Sequence, residues 1–197
     1  MKETFYKHKG DVKGTEVEIK SQKYLSEGGR GVAFQVEVKI GSKDRIFVTK
    51  KFSQEKEIER ALRNYQEAKQ SGLKVFTTYR IDQTGKRILM TSGHTKDDVC
   101  LGSVNEGRSL QYYNLPKIKS ITNLNEFMQK YFEQAKIAAN SRIHIMHDVP
   151  FFFVKRGEEN SPLDFVLGDT DTVYKRKERS WLDYQKLLQM NISELFW

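Results

Sequence analysis

Cysteine is almost missing from this chain: Cys100 is the only one in 197 residues. A lone cysteine cannot close an internal disulfide, which suits a reducing compartment. Apolar runs of membrane-spanning length are missing too, and the opening MKETFYKHKG lacks the apolar core of a signal peptide. The chain therefore reads as soluble and cytoplasmic, with no membrane span. No internal repeat or low-complexity segment occurs, so arrays of stacked repeats are set aside.

What is present points to a folded globular protein. Hydrophobic residues make up 38% of the chain, aromatics 12% and charged residues 30%, enough for a core beneath a well-solvated surface. The length suits one domain or two small lobes. A formal charge of +8, from 34 Lys and Arg against 26 Asp and Glu, biases encounters toward acidic partners without choosing among nucleotides, nucleic acid, anionic lipid and acidic protein.

Val32, Phe34, Val36 and Val38 lie two apart, the period of a half-buried strand. With TEVEIKSQKYL before them and RIFVTKKF after the turn GSKD, they predict an antiparallel meander of three strands. From Ser53 to Gly72 the period becomes helical through Ile58, Leu62, Tyr65 and Ala68. Ser53 is read as the N-cap and Gly72 as the C-terminal stop. LKVFTTYRID and RILMT read as a strand pair, and residues 92 to 120 as connector and loops. A lobe boundary falls at residues 91 to 93, dividing 1–91 from 92–197. A long helix follows, with Leu124, Phe127, Met128, Tyr131, Phe132 and Ala135 on one broad face. Two apolar strand-like runs then flank a polar hairpin, and the tail ERSWLDYQKLLQMNISELFW reads as a helix.

Four local patterns sit on this frame. YLSEGGRGVAFQVEV places glycines between the first two strands of the meander, FVTKKF ends its third strand, acids line the first helix, and IHIMHDVPFFFV and LDFVLGDTD follow the long helix. In this order they resemble the protein-kinase-like fold in a minimal version, over roughly residues 24 to 173. The resemblance implies an α+β, two-lobed protein: an antiparallel N-terminal lobe with one helix, and a reduced, mostly helical C-terminal lobe. It implies an ATP- and magnesium-dependent kinase of the Ser/Thr protein-kinase kind, acting on a protein hydroxyl. Similarity to compact bacterial effector kinases adds delivery into a host cell as an alternative to a cytoplasmic location, and the basic charge suits an acidic protein substrate.

Residue by residue, the resemblance assigns Ser26, Gly28 and Gly31 to the three glycine places of a phosphate-covering loop, with Gly29 beside them and Phe34 at the aromatic place that follows. Backbone amides there approach phosphates closely, which a side chain would obstruct. Lys50 would hold the phosphates, with Lys51 as the runner-up, and Val48 on the same face would pack near the base. Glu55, Glu57 and Glu59 are the candidates to orient Lys50, with Glu59 preferred. Met90 to Gly93 would form the hinge that meets adenine. Asp148 would orient the accepting hydroxyl, and Asp169, with Asp171 beside it, would bind magnesium. A carboxylate ending the apolar run FVLG costs several kcal/mol unless a cation or hydrogen bonds compensate it.

The departures from the family pattern are specific. His147 directly precedes Asp148, Phe153 stands where an asparagine is expected, the metal motif reads DTD, and no APE element follows. These leave a pseudokinase interaction module as one rival and a small-molecule kinase of the antibiotic-phosphotransferase kind as another. A nucleic-acid-binding protein, built around the basic cluster YKRKER at residues 174 to 179, is the rival from a different class. His144 and His147 read as structural supports of the catalytic loop, not metal ligands. GHTKDDVC matches no zinc spacing and reads as loop surface.

Overall fold

Alternation from Val32 to Val38 does set one strand of a meander. In the computed structural model, β2 (Thr15–Gly28), β3 (Gly31–Ile40) and β4 (Lys43–Phe52) pair antiparallel in sequence order. The structure describes residues 2–6, 12–28, 30–80, 87–93, 98–103, 120–145, 150–168, 170 and 172–177, with backbone only at 25, 26, 28 and 99–103. The protein is α+β and divides into two compact units. Met1–Tyr65 with Phe76–Lys96 form the first, and Gln66–Val75 with Asp97–Trp197 form the second.

In the first unit the meander belongs to a six-stranded sheet of order β1-β2-β3-β4-β6-β5, completed by β1 (Lys2–Phe5), β5 (Thr77–Arg80) and β6 (Arg87–Thr91). The sheet curls until its first and last strands meet. The Tyr6 N–H donates to the Arg80 carbonyl at 2.6 Å, and the Arg80 N–H to that of Tyr6 at 2.9 Å. Phe5, Val17, Ile19, Val36, Val38, Phe47 and Leu89 fill the concave side, each large side chain contributing about 1.5–3 kcal/mol by leaving water. Two irregularities in β2, at Ile19/Ser21 and Tyr24/Ser26, supply extra bend.

The first helix, α1, spans Glu55–Gln70, one residue short of the expected capping arrangement: Gln54, not Ser53, directly precedes it. Ser53 turns backward instead, its N–H and hydroxyl both donating to the Arg30 carbonyl, at 3.3 and 3.4 Å. At the other end Gly72 acts as expected. Its φ of +88° lets its N–H reach the Lys69 carbonyl and that of Leu73 the Ala68 carbonyl, closing a Schellman motif.

The second unit was expected to be mostly helical; over the described residues it is mixed. Helix α2 (Leu124–Asn140) buries Phe127, Tyr131, Ala135 and Ala138, while Leu124 and Phe132, expected on that face, are exposed. Beside it stands an antiparallel sheet of order β12-β10-β7, from β7 (Asp98–Ser103), β10 (Pro150–Lys155) and β12 (Asp164–Leu167). Thus β7 lies in the stretch read as loops, and Asp98 is no surface residue. Its carboxylate is nearly buried and takes a 2.5 Å ion pair from Lys155 directly across the ladder.

Two-residue strands complete the unit. β8 (Ser120–Ile121) pairs parallel with β11 (Asn160–Ser161), and β9 (Ile143–His144) antiparallel with β13 (Tyr174–Lys175). Asn123, at the start of α2, makes no capping bond. Its amide exchanges two hydrogen bonds with the Leu163 backbone, at 2.8 and 3.0 Å. The core is an aromatic knot in which Phe165 meets Tyr131 at 4.9 Å and Phe127 at 5.7 Å between ring centroids. The predicted helix over residues 178 to 197 lies outside the described residues.

Candidate functional site

The glycine stretch is the tip of a tight hairpin. β2 and β3 stay paired as far as Gly28 opposite Gly31. Gly31 has a reason to be glycine that needs no ligand: a Cβ there would overlap the Lys51 carbonyl of the neighbouring strand. Ser26 sits in the ladder opposite Ala33. Gly29 lies outside the described residues.

Lys50 is half-buried in β4, a strand paired on both sides, with Ala33 across one ladder and Ile88 across the other. Alternation puts Val48, Lys50 and Phe52 on one face, where the Lys50 ammonium stands 5.4 Å from the centre of the Phe52 ring. Met90 is opposite Val48, so three residues of the expected nucleotide site, Val48, Lys50 and Met90, share that face. Lys51 points to the other face, opposite Arg87. Past Met90 the chain turns at Gly93, whose φ is +81° and whose N–H bonds the Thr91 hydroxyl at 3.1 Å.

The three glutamates of α1 have different surroundings. Glu55 is ion-paired to Arg80 at 3.0 Å, and Arg80 shares the face of Lys50 because both are opposite Ile88. That pair sets the first turn of α1 over this face. Glu57 is partly buried, and its Oε2 lies out of contact with solvent with no hydrogen-bond partner. Glu59 is exposed.

Asp148, Asp169 and Asp171 lie outside the described residues, as does His147. Their flanks are well described. Pro150, two residues after Asp148, pairs with Leu167, two residues before Asp169. On the outer side His144 pairs with Tyr174, their rings 4.9 Å apart. Between the two aspartates of DTD, Thr170 is buried, and its carbonyl accepts the Val173 N–H at 3.3 Å. Gly168 packs so closely on Phe151 that a Cβ would stand 2.5 Å from the ring. Phe153, at the family's asparagine place, is a core residue of β10.

Sequence reasoning missed Arg80, Asp98 and the role of Ser53. A buried arginine in TTYR and an aspartate in DVCLGS announce nothing by spacing. Among the described residues no group of three or more His, Cys, Asp or Glu is placed to hold a metal ion, and no helix is long and apolar enough to cross a membrane. Comparison with the models of known protein families and with curated protein sequences gives no match for this chain.

Proposed function

We propose that this chain is an ATP- and magnesium-dependent phosphotransferase of minimal protein-kinase-like design, transferring the γ-phosphate to a hydroxyl of a protein. The observation that carries the reading is the double bracket in the second unit. In sequence, Asp148 and Asp169 each stand two residues from a paired residue, Pro150 and Leu167, and a second pair, His144 and Tyr174, flanks them on the other side. That spacing supports a hydroxyl-orienting acid and a metal-binding acid serving one site.

Lys50 would hold the phosphates, beside Val48 and Met90 on the same sheet face. An α1 glutamate would orient it: Glu59 by the family resemblance, or Glu57 by its withdrawn carboxylate oxygen. Asp169 and Asp171 would hold magnesium, whose charge offsets that developing on the transferred phosphoryl group, and Asp148 would orient the accepting hydroxyl. Catalysis in such a site comes from positioning and charge neutralisation.

Gly31 supports a second reading, an interaction module that keeps the fold without phosphoryl transfer, since packing alone explains its glycine. Incubation with magnesium and γ-labelled ATP, alone and with lysate, separates the two. Transfer that falls at least about a hundredfold in Asp169→Ala supports the enzyme. Nucleotide binding without transfer supports the module. Absence of both binding and transfer rejects the enzyme, and Glu57→Gln beside Glu59→Gln identifies the orienting acid.

A further inference from the structure

The ribbon of β9 and β13 has two unlike faces. Ile143, Ile145 and Val173 point inward and belong to the core of the second unit. His144 and Tyr174 face the other way, and Tyr174 keeps 46% of its surface exposed. The Arg176 guanidinium lies over the Tyr174 ring at 5.9 Å. Beyond this pair the Arg176 N–H donates to the Arg142 carbonyl at 2.7 Å, so the two arginines stand opposite each other at the ribbon's end. Lys175 and Lys177 are exposed on the same short segment. Neither stretch of the ribbon, residues 141 to 145 or 172 to 177, contains an acid.

This arrangement works against stability at one point. Arg142 holds a φ of +59°, the one positive value at a non-glycine among the described residues. It occupies the position after the α2 C-cap, Ser141, where glycine is the unstrained choice. Its side chain is meanwhile fixed, one guanidinium nitrogen donating to the Lys177 carbonyl at 3.2 Å. A strained residue with a fixed cation on an exposed face points to a use for that cation.

We infer that the ribbon formed by Arg142, His144, Tyr174, Arg176 and Lys177 is a docking surface for an acidic peptide segment of a partner protein. Guanidinium groups match carboxylates by geometry as well as charge. Nucleic acid is the poorer fit. Base stacking needs an open aromatic face, whereas the Tyr174 ring already carries His144 and Arg176. The surface does not depend on phosphoryl transfer, so the test reads binding alone.

The probe is a fluorescein-labelled octapeptide of alternating Glu and Ser, measured by anisotropy against the whole chain at low salt. Its Gln counterpart and a labelled single-stranded oligonucleotide serve as controls. Arg176→Gln and Arg142→Gly should each weaken the Glu peptide about tenfold, while Lys130→Gln, which removes a charge elsewhere in the same unit, should change it less than about twofold. Arg142→Gly should lose affinity while its melting temperature holds or rises. Equal losses in all three variants, tighter binding of the oligonucleotide, no binding by the unmodified chain, or a drop in melting temperature for Arg142→Gly would each overturn the assignment.

Discussion

Arg80 and Glu55 form an ion pair whose two ends live in different media. The arginine side chain is 3% exposed and the glutamate 60%, at a separation of 3.0 Å. Removing the glutamate leaves a buried cation with less compensation, whereas removing the arginine leaves an acid that water already solvates. Glu55→Gln should therefore destabilise by about 1–2 kcal/mol, a figure held low because one partner is exposed. Arg80→Met should cost less. Urea denaturation of both variants checks the order, and the reverse order would show that the arginine acts through packing.

Gly168 and Phe151 are coupled by shape. The methyl group of Gly168→Ala would meet the ring at 2.5 Å, so the substitution should cost about 1–3 kcal/mol as overpacking. Phe151→Leu in the same chain should recover part of that loss. A double-mutant cycle with no coupling between the positions would mean that the ring swings away freely.

The aromatic knot of the second unit makes a sharper demand. Phe165 touches Tyr131 and Phe127 and is 2% exposed, so Phe165→Ala should destabilise by about 3–5 kcal/mol. Truncating exposed Phe132 on the other side of α2 should change stability by less than about 0.5 kcal/mol. Thermal melts of the two variants distinguish core from surface on one helix.

Alkaline titration should be nearly silent at physiological pH. Lys2, Lys20 and Lys130 are held above their ordinary value of 10.5, first by hydrogen bonds to Glu16, Asp44 and Glu126. A lysine pKa raised on folding contributes stability that is fully present below the unfolded value and lost as pH rises through the folded one. The melting-temperature difference between the chain and a variant with all three lysines changed to methionine should stay flat from neutral pH to 10.5 and shrink above it. A difference that already shrinks near neutrality would contradict this.

How much of this was legible in the sequence depends on how local each cause is. The meander β2 to β4 was, because alternation from Val32 to Val38 is a property of one strand, and so was the stop at Gly72, because one φ decides it. β1 and β7 were not: KETF and DVCLGS are too short to alternate and owe their strand form to the neighbours they pair with. Ser53 looked like a cap because its hydroxyl could serve one, but the Arg30 carbonyl, in the turn between β2 and β3, claims it. Gly31 illustrates the limit at the candidate site, since a glycine kept for a phosphate and one kept for the Lys51 backbone read alike. The choice among the α1 glutamates held an unused signal: Glu57 lies one turn before buried Ala61, and Glu59 one turn before Arg63. Two residues amount to about 200° around a helix, the difference between inward and outward.

The meeting of Tyr6 with Arg80 bears on what this protein does in a crowded solution. A six-stranded antiparallel sheet normally ends in two rows of unsatisfied backbone groups that invite another copy to add a strand. Here the last strand on each side spends backbone groups on the other. Loss of β1 would uncover the flank of β2 along Thr15 to Glu18 and leave Arg80 without its backbone partner, turning a self-contained sheet into a template for aggregation.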